Sequence, residues 1–144
     1  MNTVKQVSTF MENKPGELSS ILKILSDANI DIRALNVAEV SDYGVLRFMA
    51  DDSEKAIKTL KENGLIASYT DVAVIEVPDE PGGLYGLLEK FAKDGVDIEY
   101  MYSVVGFEKG KSNMVICVKN FDTLSKSIED RKIVTADKKT LGIN

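Results

Sequence analysis

Apolar positions along this chain switch from a period of two to helical spacing and back, and the whole switch occurs twice. Val4 to Met11 is rich in β-branched and aromatic residues in partial alternation, which predicts a strand. Past the break at Glu12-Asn13-Lys14-Pro15-Gly16, Leu18, Ile21, Leu22 and Leu25 follow i, i+3, i+4, i+7, one face of an amphipathic helix that Ala28-Asn29 ends. Ile32 to Val40 and Val45 to Ala50 read as strands joined by a turn at Ser41-Asp42-Tyr43-Gly44. Asp52 or Ser53 caps a second helix presenting Ala56, Ile57 and Leu60, Asn63-Gly64 stops it, and Ile66 to Thr70 supplies a fourth strand.

The order then repeats. Val72 to Val77 predicts a strand and Leu84 to Lys93 a helix ending near Asp94-Gly95. Ile98 to Phe107 and Ser112 to Val118 predict strands flanking a Lys109-Gly110 turn, and Asp122 to Asp130 a helix carrying Leu124 and Ile128. Ile133 to Thr135 closes the set, and the polar tail beyond has no strong signal. Pro15-Gly16-Glu17-Leu18 returns as Pro81-Gly82-Gly83-Leu84, and Asn29-Ile30-Asp31-Ile32 as Gly95-Val96-Asp97-Ile98, both 66 residues later. Leu18/Leu84, Ile21/Leu87, Leu22/Leu88 and Leu25/Phe91 share the offset, which grows to 68 after the longer second hairpin. A tandem duplication accounts for this, with domains at 1–71 and 72–144.

Each copy has the order β-α-β-β-α-β, so the expected class is α+β: two ferredoxin-like units packed side by side, each an antiparallel sheet with helices on one face. A unit this small buries only about 60% of its unfolded surface and is marginal alone. The strands are also apolar on both sides, with Tyr100, Tyr102 and Val104 alternating with Met101, Ser103 and Val105. A sheet with one solvated face should alternate apolar with polar. A homodimer or higher assembly that covers the open face is therefore expected; a few exposed apolar residues are the plainer alternative.

Composition narrows the chemistry. The chain has no histidine, which removes the commonest general base and zinc ligand and every Ser-His or Cys-His pair. No catalytic residue, metal site or cofactor is expected. Cys117 sits in the apolar run Met114–Val118 and reads as a small buried thiol; a single cysteine forms no internal disulfide, which suits the cytoplasm. A net charge of −5 argues against nucleic acid as a partner. The sequence shows no bilayer-length apolar run and no signal peptide before the first strand, so no membrane partner is expected.

The two glycine turns carry the binding chemistry. A Pro-Gly-x-Leu turn before a helix exposes amides without intrahelical acceptors, which together with the helix dipole favour a carboxylate or phosphate. Glycine lets a ligand approach the backbone. Pro and Gly are also common structural punctuation at helix starts, and that reading stays open. Asn13 and Asp79, each two residues before the proline, add an amide and a carboxylate beside the helix amides, a set suited to a free amino acid; turn stabilisation is their alternative role.

At this point the sequence resembles the ACT domain family, small ligand-binding regulatory modules, over nearly the whole chain and twice. The resemblance rests on Glu12-Asn13-Lys14-Pro15-Gly16-Glu17-Leu18 and Asn29-Ile30-Asp31-Ile32, then on Val77-Pro78-Asp79-Glu80-Pro81-Gly82-Gly83-Leu84 and Gly95-Val96-Asp97-Ile98. Ile98–Tyr102 and Asp42–Arg47 are similar to the free-standing tandem subgroup, which lacks a catalytic domain. The resemblance implies edge-to-edge association and amino-acid binding at the seam. Carried over by position, the ligand contacts are Asn13, Pro15, Gly16, Glu17 and Leu18 in one copy and Asp79, Gly82, Gly83 and Leu84 in the other, with Asn36, Glu39 and Tyr102 as seam-facing strand positions. Asp79 would repel a ligand carboxylate, so the two sites need not be equivalent.

The leading expectation is a non-catalytic regulatory protein that binds a free amino acid and signals its level to a partner such as a metabolic enzyme. The alternative is a regulatory subunit of an amino-acid biosynthetic enzyme such as acetolactate synthase, against which the second copy's nearly exhausting the chain by Ile143 counts. An enzyme comes third, since Asp79-Glu80 reads as readily as a solvated turn. Tyr43, Tyr100 and Tyr102 are either pocket lining for a branched or aromatic side chain, or core.

Overall fold

The computed structural model describes residues 1–40, 42–104 and 109–144. Ser41 of the expected turn and residues 105–107 of the expected 98–107 strand lie outside the described residues. The chain divides into two compact units: a leading unit of residues 5–70 with 138–144, and a trailing unit of residues 1–4 with 71–137. The elements are β1 (Val4–Glu12), α1 (Glu17–Asp27), β2 (Ile32–Val40), β3 (Tyr43–Ala50), α2 (Ser53–Glu62), β4 (Ala67–Pro78), α3 (Gly83–Lys93), β5 (Ile98–Val104), β6 (Lys111–Val118), α4 (Phe121–Arg131) and α5 (Lys138–Leu141). The two strands expected at 66–70 and 72–77 form the single element β4, because Asp71 keeps an extended backbone between them.

The leading unit is α+β with strand order β2-β3-β1-β4 and antiparallel β1–β3 and β2–β3 pairs. Val7 lies opposite Phe48 and Thr9 opposite Leu46, so Val7, Leu46, Phe48 and Ala50 share one face. Ile21 and Leu25 of α1 and Ala56, Ile57 and Leu60 of α2 pack on that face, which places both helices on the same side. Leu25, Phe48 and Leu60 are fully buried, each contributing about 1.5–3 kcal/mol by leaving water. The Asp52 carboxylate caps α2 by accepting from the Lys55 amide at 3.0 Å. Asn29, at φ 58, turns the chain out of α1, and the Ile30 amide then donates to the Leu25 carbonyl.

The trailing unit repeats the plan with order β4-β6-β5, its core formed by Ala73, Ile75, Val77, Leu87, Phe91, Ile116, Val118, Leu124 and Ile128. Asn120 caps α4, accepting from the amides of Asp122 and Thr123. The expected closing strand at 133–135 is reduced to one bridge, Ile75 with Thr135, held by bonds from Glu76 N–H to Val134 O and from Ala136 N–H to Val74 O. Duplication is visible bond by bond. Lys14 N–H to Glu12 O, Glu17 N–H to Lys14 O, Ser20 N–H to Gly16 O and Ile30 N–H to Leu25 O recur 66 residues later as Glu80 to Pro78, Gly83 to Glu80, Gly86 to Gly82 and Val96 to Phe91.

The polar tail is where the structure goes beyond the sequence pattern. Residues 138–141 form the short helix α5, closed by bonds from Gly142 N–H to Lys139 O and from Ile143 N–H to Lys138 O, with Gly142 at φ 68. The Arg33 guanidinium donates to the Leu141 carbonyl at 2.9 Å, the Asn144 amide donates to the Asp51 carbonyl at 2.7 Å, and Leu141 and Ile143 are buried.

Candidate functional site

Both glycine turns are built from the same backbone bonds, and both end in a glycine with a left-handed backbone: Gly16 at φ 85 and Gly82 at φ 82, each the residue that caps its helix. Neither helix start receives a side-chain cap. The first intrahelical bonds run from Ser20 N–H to Gly16 O and from Gly86 N–H to Gly82 O, so α1 offers no acceptor to the amides of Leu18 and Ser19, nor α3 to those of Leu84 and Tyr85. A Cβ placed on Gly16 or Gly82 would meet nothing within 4 Å, so the space above both turns is open. Glycine is needed there for its φ rather than for room.

In the leading unit the turn is joined to the hairpin. The Asn13 side-chain amide donates to the Glu39 carboxylate at 2.9 Å. Strand register explains the meeting: Met11 lies opposite Gly44 and Gly44 opposite Glu39, so Glu39 reaches the level at which β1 ends and the turn begins. Asn36 is not brought there. It lies opposite Arg47, which lies opposite Ser8, three residues from Met11 and so about 10 Å further down the sheet. The structure thus gathers Asn13, Pro15, Gly16, Glu17, Leu18 and Glu39 at one turn, with Leu18 half-buried against the core.

In the trailing unit Asp79, Gly82, Gly83 and Leu84 share the second turn, where the Asp79 amide donates to the Gly110 carbonyl at 3.0 Å and Leu84 is exposed. Tyr102 lies apart from them. It pairs with Val115, which pairs with Val74, four residues or about 13 Å from Pro78, and it is buried. Tyr43 stands on the sheet face away from the helices and packs edge-on against Phe10, ring centroids 5.7 Å apart.

The charge around the leading turn is acidic. Lys14, which the sequence reading passed over, is held by Glu12 at 2.8 Å. The Lys14 ammonium beside Glu12 lowers that carboxyl below its usual value, and Glu12 raises the Lys14 amine in return. Glu17 stands in the first turn of α1 and Glu39 is bonded to Asn13, so the same turn carries main-chain donors and two carboxylates. Such a set accepts a carboxylate on the amides and an ammonium on the acids, and it disfavours a doubly charged phosphate, which would face Glu17 and Glu39. Among the described residues no group of histidine, cysteine, aspartate or glutamate side chains is arranged to hold a metal ion. Among the described residues, too, no helix is long and apolar enough to cross a membrane.

Comparison with known proteins places this geometry in a family. A family model described as an ACT domain pair matches residues 2–142. The solved structure of protein BT0572 from Bacteroides thetaiotaomicron is similar over 97% of this chain and 96% of its own, at 36% identity and a TM-score of 0.88. The ligand-free regulatory subunit of aspartate kinase from Thermus thermophilus shares the fold at 13% identity and a TM-score of 0.65, over 90% of this chain and 93% of that one. The aspartokinase alpha and beta subunits share it at 17% identity and 0.55, over 90% and 98%. No curated protein matches the chain. Since the family model matches residues 2–142, the chain belongs to the ACT domain pair family.

Proposed function

We propose that this protein is a non-catalytic regulatory module that binds a free amino acid at the Gly16 turn and signals its level to a partner. The observations that carry the reading are the Asn13–Glu39 bond at the Gly16 turn and the amides of Leu18 and Ser19, to which α1 offers no acceptor. The amides hold the ligand carboxylate, Glu39 and Glu17 attract its ammonium, and the left-handed Gly16 leaves the approach clear. The trailing turn, with Asp79 in place of Asn13, is a weaker carboxylate site. Occupancy signals by favouring the arrangement that binds the ligand better. The edge strand β2 exposes Leu35 and Val37, which suits association with a second copy, and light scattering reads that association.

Calorimetric titration with the twenty amino acids is the test. At least one is expected to bind with Kd below about 1 mM, and Asn13→Leu with Glu39→Gln to weaken it. If none binds, the reading is wrong. A second reading, a constitutive regulatory subunit of an amino-acid biosynthetic enzyme, draws support from the descriptions of two fold relatives as aspartate kinase subunits. Capture of a catalytic subunit that no amino acid alters would favour it.

A further inference from the structure

In the trailing unit a groove of about 330 Å3 has Gly83, Gly86, Leu87 and Lys90 of α3 in one wall and the segment that leaves α4, with Lys132 and Val134, in another. The leading unit provides the control, since its matching positions are Glu17, Ser20, Ile21 and Ile24, then Gly64 and Ile66. Two residues of the groove run against local preference. Gly86 lies inside a helix with no positive φ, and a Cβ there would meet nothing within 4 Å, so neither backbone nor packing asks for glycine where the first copy has serine. Lys132 takes the left-handed conformation, φ 52, that Gly64 adopts without steric penalty in the first copy. Strained or disfavoured residues that converge on one cavity point to function there.

The charges tell which ligand. Arg131 is held by Asp94 and Glu76 by Lys111, whereas Lys90 and Lys132 have no ion-pair partner among the described residues. Lys90 replaces the apolar Ile24 of the first copy. Leu87 forms a nearly buried apolar wall and Val134 an exposed one. We propose that this groove is a second ligand site, for a small organic acid whose carboxylate is held by Lys90 and Lys132 and whose short apolar chain lies over Gly86 between Leu87 and Val134. The site is independent of the Gly16 turn and stands or falls separately from the amino-acid reading.

The test titrates the 15N-labelled full chain with hexanoate, and with hexylammonium as the opposite-charge control, following amide shifts. Hexanoate is expected to shift Gly83, Gly86 and Val134 saturably with Kd below about 10 mM, and hexylammonium to leave them unmoved. Lys90→Gln should weaken hexanoate about fivefold, the effect of one exposed ion pair. Gly86→Leu should abolish binding by filling the groove with a better helix former, and an unchanged far-UV spectrum will show that the variant folds. Absence of saturable shifts, equal shifts with hexylammonium, or undiminished binding in folded Gly86→Leu would overturn the proposal.

Discussion

Replacing Gly83 with alanine puts a Cβ 2.1 Å from the Pro78 carbonyl oxygen. Ordinary contact begins near 3.4 Å, so the helix start must retreat by 3.4 − 2.1 = 1.3 Å. That retreat stretches the two bonds that fix the turn, Gly83 N–H to Glu80 O and Glu80 N–H to Pro78 O, both 3.0 Å, beyond useful length. Each is worth about 1 kcal/mol net, so the loss is about 2 kcal/mol. Alanine returns about 0.5–1 kcal/mol by restricting the unfolded chain, which leaves a net destabilisation of about 1–1.5 kcal/mol. Gly86→Ala is the matched control: its Cβ enters open space, and it should stabilise by about 0.5–1 kcal/mol. The two variants should differ by about 2 kcal/mol, or about 6 °C in melting temperature for a chain of this size. Urea and thermal melts followed by circular dichroism measure both. Gly83→Ala melting at or above the parent protein would refute the close approach of α3 to Pro78.

Three further outcomes follow from the same geometry. Leu25→Ala removes a fully buried side chain from the leading core and should cost about 2–5 kcal/mol, read from the urea midpoint. Gly16→Ala should cost about 1 kcal/mol through its left-handed φ alone, since its Cβ meets no neighbour, and the same melts check it. The Arg131 guanidinium, bonded at 2.7 Å, and then the Ser127 hydroxyl at 2.6 Å hold the Asp94 carboxyl well below the usual carboxylate range. A depressed folded-state value contributes stability that is complete above the ordinary range, about pH 4, and drains as pH falls through the folded value. Asp94→Asn should therefore be less stable than the parent at pH 7, with the gap closing between about pH 4 and pH 2; a gap constant across that range would count against the ion pair.

What the sequence made legible was whatever repeats within a few residues. Helical spacing located α1 from Leu18, Ile21, Leu22 and Leu25, and the Pro-Gly pairs located both left-handed caps, because each signal is local. Site residues on the same turn, Asn13 through Leu18, inherit that clarity. Strand residues do not: Asn36 and Glu39 look equivalent in the chain, and only the register with Arg47 and Gly44 puts one beside the turn and the other about 10 Å away. Tyr43 and Tyr102 were ambiguous for the same reason; register turns Tyr43 away from the helices and sets Tyr102 among buried residues. α5 left no trace, since one turn of helix has no period to detect and only Leu141 and Ile143 interrupt a polar run. The groove beside Gly86 became visible only by setting one copy against the other.

The anchoring of residues 138–144 on the leading unit affects the order in which the protein can mature. Arg33 and Asp51 are synthesised roughly a hundred residues before the segment they bind, so the leading unit stays unfinished until residues 138–144 have been made. At about 5–20 residues per second, that leaves Arg33 waiting some 5–20 seconds for the Leu141 carbonyl. A nascent chain stalled after Thr70 would hold a sheet with its closing strap missing, a state in which a chaperone has reason to bind.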